Sequence, residues 1–175
     1  PDLPALDLLS VILGDGRSSL LYRKIREELG LAHSVSAFCY SPADPGLFGV
    51  DATFRYRPLR RAIYRRFQAR TELVWSKQDQ SSTTLAPNTS FGFYALAEYQ
   101  FAQRWYSGVR IDRSQRVLDS TLTDTGQSFF ITYWPSEFSQ LRGQYRRTNY
   151  AEGLTGNEFL FQLNFSIGAH GAHVF

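Results

Sequence analysis

The sequence predicts an α+β N-terminal fragment (helix, helix, hairpin), then an antiparallel up-and-down β-meander of about six strands, part of a transmembrane β-barrel. Three observations predict it. Apolar residues recur at helical spacing only ahead of Gly30. From Arg55 onward, aromatic-rich segments alternate apolar and polar residues, the period-2 pattern of strands with one greasy and one wet face. The connections between those segments alternate between long polar stretches and tight turns.

The first unit covers residues 1–54. Leu3, Ala5, Leu6, Leu8, Leu9, Ile12 and Leu13 stand at helical spacing, and Gly14 lies where a helix commonly ends. Gly14-Asp15-Gly16-Arg17-Ser18-Ser19 reads as a turn whose serines cap a second helix over 20–29, stopped by Gly30. Strands over 32–40 and 47–54 follow, joined by Ser41-Pro42-Ala43-Asp44-Pro45-Gly46, a turn by composition.

The second unit covers residues 55–175. Segment 66–78 places Phe67, Ala69, Thr71, Leu73 and Trp75 on one face, and 90–102 does the same with Phe91, Phe93, Ala95, Ala97, Tyr99 and Phe101. Segment 103–112 contributes Trp105, Ser107, Val109 and Ile111, 127–134 is a shorter aromatic strand, and 137–149 contributes Leu141, Gly143 and Tyr145. The last strand, 157–167, sets Phe159, Phe161, Leu163, Phe165 and Ile167 against Leu160, Gln162, Asn164 and Ser166. Stretches 79–89, 113–126 and 150–156 are long and polar, whereas the turns near Ala102-Gln103 and Pro135-Ser136 are tight.

A face this apolar meets a protein core or lipid. Aromatics at both ends of a strand, with Ala95 and Ala97 between them, suit the two interfaces of a bilayer. The opposite face is polar, as a barrel lumen is, and lumen-facing Arg104, Arg110, Arg142 and Arg146 would bias passage toward anions. The alternative is a soluble β-sandwich, whose connections need not alternate in length. Single-chain barrels start at about eight strands, so a sheet of six must stay open, recruit the N-terminal hairpin or oligomerise.

Composition narrows the classes. Among 175 residues are 14 Phe, 10 Tyr and 3 Trp, a high aromatic share of 15%. Cys39 stands alone, so no intrachain disulfide forms. No run of about 18 apolar residues exists to make a spanning helix. Methionine is absent and the chain opens on Pro1-Asp2, which suggests a piece of a longer product or a processed chain. Formal charge is +3, and residues 55–70 hold seven arginines without an acid. That run reads as a solvated basic strand and linker or as a phosphate-binding patch; no nucleic-acid module accompanies it, so no nucleic-acid partner is expected.

Two stretches carry resemblances. LGDGRSSLLYRKIREELGLAHSV, with DPGLFGVDATF downstream, resembles the insulinase-like (pitrilysin, M16) zinc peptidases in their non-catalytic half. That resemblance implies two related halves closing around substrate, the first carrying an HxxEH zinc motif and the second lending an Arg and a Tyr. Arg26 matches the Arg position, while His33 occupies the Tyr position. Arg26 also suits a helix-surface residue near a helix C-terminus. The 3 histidines, His33, His170 and His173, form no HxxEH or HExxH, so no metal or other cofactor is expected in this chain and zinc would sit in a partner half. His170 and His173 are expected to serve tail structure rather than metal.

The ending, WPSEFSQLRGQYRRTNYAEG and NEFLFQLNFSIGAHGAHVF, resembles the C-terminal strands of bacterial outer-membrane porin- or receptor-like barrels. It implies an outer-membrane location with residues 1–54 on the periplasmic side, lipid as a partner, and barrel assembly machinery reading the last strand and Phe175. Solute passage is the function this implies. A non-catalytic peptidase subunit assisting a zinc-bearing partner is the alternative.

Overall fold

The structure is a computed structural model that describes residues 3–40, 46–58, 65–78 and 88–167. One α-helix, α1 (Leu3–Gly14), precedes a single eight-stranded sheet. Its strands are β1 (Ser34–Tyr40), β2 (Gly46–Tyr56), β3 (Phe67–Gln78), β4 (Asn88–Ala102), β5 (Trp105–Gln115), β6 (Thr123–Ser136), β7 (Ser139–Asn149) and β8 (Thr155–Phe165). They follow sequence order, each antiparallel to the next.

This corrects the expected fold class. The hairpin is not a separate α+β fragment beside a six-stranded meander, because β2 runs through Phe54-Arg55 and pairs with β3 from Gly46↔Lys77 to Tyr56↔Phe67. Nor is the sheet a barrel: β1 and β8 are its two edges and do not pair. The physical reasons lie at β1. Seven residues are fewer than the 9–11 or so that a spanning strand needs. α1 also packs on β1, so closely that a Cβ on Gly14 would overlap Ala37 N.

The helix–helix arrangement is not formed either. Residues 20–28 coil, but from Tyr22 to Glu28 they do so as a π-helical segment whose wide turns include Leu29 N–H donating to Lys24 O at 3.1 Å. The expected serine cap is absent: Ser19 Oγ donates back to Gly16 O at 2.8 Å, and Leu21 takes the cap position without a side-chain bond. His170, His173, Phe175 and part of the arginine run lie outside the described residues.

Register makes the sheet two-faced. One cross-strand row runs Phe54, Ala69, Ala97, Val109, Phe129, Tyr145, Phe159, all on the same side. The adjacent row, one residue along, runs Gln68, Glu98, Gly108, Phe130, Gln144, Leu160 on the other side. The polarity of burial is inverted on β6. Gly126, Ser128, Phe130 and Thr132 on the polar face are buried, while Gln127, Phe129 and Ile131 on the apolar face are exposed.

Among the described elements, only side chains of the sheet itself cover the polar face, so it is buried by curvature. Arg142 on β7 reaches Glu98 on β4 at 3.3 Å, across two intervening strands. Flat neighbours three apart would stand about 14 Å from each other, so the sheet curls toward its polar face. α1 and the π-helical segment pack over β1 on the apolar side, where Val35 and Ala37 are buried. Toward β8 that face is bare: Phe159 is 77% and Phe161 90% exposed.

Candidate functional site

Two regions carry candidate residues. In the first, the π-helical segment places Arg26 on the surface, its guanidinium 4.7 Å from the centre of the Tyr22 ring. His33 lies just ahead of β1, also exposed, with its N–H donating to Thr53 O at 2.6 Å. The structure gives each a fixed local position and records no bond between them. α1 leaves Leu8 and Val11 more than half exposed, at 61% and 51%, an apolar surface beside these residues in sequence. Among the described residues no group of three or more His, Cys, Asp or Glu is placed to hold a metal.

The second region is the polar face of β4–β8. Arg110, Arg142 and Arg146 converge there on one cavity of about 360 Å³, together with Asp112, Ser128 and Gln144. Arg104 is not among them: it sits in the tight turn between β4 and β5 and donates through Nη1 to Pro135 O at 2.6 Å. Each converging arginine is steered by a neighbour. Arg110 donates to Asp112 Oδ1 from Nε at 2.7 Å and lies 4.2 Å over the Tyr94 ring. Arg142 donates to Thr132 Oγ1 at 2.9 Å and lies 4.4 Å over Phe130. Arg146 donates to Glu158 Oε2 at 2.6 Å. Sequence reasoning found the arginines through strand alternation but missed Ser128, an ordinary serine whose importance comes only from its burial. The signal was its place between Arg110 and Arg146, visible only once the register is known.

The apolar face has its own geometry. Phe48, Trp75, Phe91 and Phe93 form one aromatic chain with ring centres 5.1–6.1 Å apart, while Trp105 stacks on Tyr133 at 4.6 Å toward the opposite end of the strands.

Comparison with known proteins bears on the first region. Residues 1–73 match the family described as the Peptidase M16 inactive domain. The chain is 47% identical over 51 residues to an uncharacterized zinc protease of Streptomyces coelicolor, 29% of this chain and 11% of that protein. It is 44% identical over 46 residues to an uncharacterized zinc protease of Rickettsia felis, 26% of this chain and 11% of that protein. An uncharacterized protein of Aquifex aeolicus is 30% identical over 146 residues, 74% of this chain and 30% of that protein, so that likeness runs beyond residue 73. The chain therefore spans less than a third of each of these relatives. No solved structure matches. These matches do not show the outer-membrane resemblance of residues 55–175. They do show that the N-terminal part of the chain is M16-like, of the inactive kind.

Proposed function

We propose that the chain works as a non-catalytic M16-type module that assists a partner carrying the HxxEH zinc site. The observation that carries this reading is the match of residues 1–73 to the inactive domain, in a chain whose sequence has no HxxEH of its own. The partner supplies zinc and its activated water. Arg26 and His33 stand exposed where they can meet substrate, and the apolar surface of α1 offers the partner half a place to dock. The test is reconstitution. Mixing the chain with an HxxEH-bearing half should raise peptide hydrolysis, and Arg26→Ala should remove the gain. No gain on mixing rejects the proposal.

A second reading rests on the bare apolar face. Aromatics stand at both ends of its strands, as residues at the two interfaces of a bilayer do. In this reading the face from β3 to β8 lies against outer-membrane lipid, the assembly machinery reads the C-terminal end, and the polar face contacts solute. The open edge of β8 then needs a further strand beside it, because unpaired backbone is costly in hydrocarbon. Trp75 and Trp105 report on it directly. Brominated acyl chains should quench their fluorescence in vesicles; a soluble, monomeric chain without detergent would rule the reading out.

A further inference from the structure

The cavity on the polar face contains a group that its surroundings leave unsatisfied. Ser128 is 7% exposed, and its Oγ has no hydrogen-bond partner. Buried hydroxyls are nearly always partnered, so one without a partner points to an absent acceptor or donor. Its neighbours define which. Register places Arg110 on β5 and Arg146 on β7 directly opposite Ser128, one on each side.

The two guanidiniums are held alike. Arg110 directs Nε and Nη2 at Asp112 Oδ1, at 2.7 and 2.5 Å. Arg146 directs Nε and Nη2 at Glu158 Oε2, both at 2.6 Å. One edge of each fork is thus anchored by a single carboxylate oxygen, and a guanidinium has five N–H donors. The other edge remains to serve a second acceptor. Gly126, buried next along β6, adds no side chain to the space.

We propose that this cavity binds a tetrahedral oxyanion, phosphate or sulfate, held between Arg110 and Arg146 with Ser128 Oγ donating to it. Guanidinium forks match such oxygens geometrically. A sugar fits less well, because the ring that lines the cavity, Phe130, is 1% exposed and covered by Arg142. The anchoring carboxylates, with Asp124 also in the lining, offset the arginine charge, so binding is weak and sensitive to salt. The site does not depend on what covers the apolar face or on a peptidase partner.

Titration of the full chain in detergent micelles tests it, with arginine Nε–H resonances followed as sodium phosphate or sulfate is added at constant ionic strength. Saturable shifts with both anions, and none with chloride, are expected. Ser128→Ala should raise the thermal midpoint, since it removes an unsatisfied hydroxyl, yet weaken phosphate binding about tenfold, the loss of one hydrogen bond. Arg146→Gln, at a half-exposed position that tolerates change, should weaken it at least as much, and Arg104→Gln should leave it unaltered. Saturation by inorganic phosphate alone assigns the site to a free ion, and equal saturation by glycerol phosphate extends it to phosphoesters. Unaltered phosphate binding in Ser128→Ala and Arg146→Gln, or no saturable response, overturns the proposal.

Discussion

The ring of Phe130 on β6 lies against the backbone of Gly108 on β5, where a Cβ would overlap Phe130 Cζ and come within 2.7 Å of Ala97 O. The pairing lets a large ring lie low on the polar face, where the Arg142 guanidinium covers it. Gly108→Ala forces the ring out and should cost about 1–3 kcal/mol. Phe130→Ala should cost about 3–5 kcal/mol. Because both act on one contact, the double variant should lose less than the two losses added, read by denaturant unfolding.

At the other end of the sheet, Gly14 lets α1 approach β1. A Cβ there would come within 2.7 Å of Ala37 Cα as well as overlapping Ala37 N. Alanine improves helix propensity by about 1 kcal/mol at an interior position, but the overlap with fixed backbone outweighs it. Gly14→Ala should speed amide exchange in α1 and in β1 while leaving β5–β7 unchanged.

Acid should loosen the loops at one end first. Arg116 ties the β5–β6 connection to the β7–β8 connection, pairing with Asp124 at 3.2 Å and with Glu152. Asp124, outside the apolar band, is held below the usual carboxylate range by the Arg116 hydrogen bond and then by the Ala151 N–H. The Arg116 hydrogen bond likewise lowers Glu152, and the Thr121 hydroxyl and N–H lower Asp119. Lowered carboxyls bind fewer protons folded than unfolded. Their contribution is therefore complete above the ordinary values of 3.8 and 4.5 and is lost as pH falls through the folded ones. Arg116→Gln should flatten that acid limb, measured as exchange in 116–124 and 150–155 against pH.

Gly153 closes the β7–β8 turn with φ +81°, its N–H donating to Tyr150 O at 3.0 Å. Gly153→Ala should cost about 1 kcal/mol, and Gly153→Asn less, because asparagine enters the left-handed region more readily. Thermal melts of the two variants make the comparison.

Local alternation along Phe159, Phe161, Leu163 and Phe165 marks β8 from sequence because each strand residue obeys the same two-sided rule. Closure was not legible, since it depends on whether β1 and β8 meet, and β1 is instead occupied by α1. Within 20–29 the chain coils in the π-helical form, which apolar spacing does not distinguish, and Ser19 turns its hydroxyl back to Gly16 rather than forward. Arg110, Arg142 and Arg146 could be named together because alternation put them on one face. Arg104 could not be told apart from them, as it lies in a two-residue turn where alternation carries no meaning. Arg26 and His33 came from resemblance alone, and nothing in their spacing could have drawn attention to them.

Every strand among the described residues pairs only with its neighbours in the chain. The sheet can therefore assemble one strand at a time, with short closures and little entropy lost at each step. Such a ladder has no keystone. A strand in the middle is protected on two sides, whereas β8 joins through a single partner and can peel away while the rest stands. The part of the molecule most open to exchange of neighbours is thus also the one with the greasiest face.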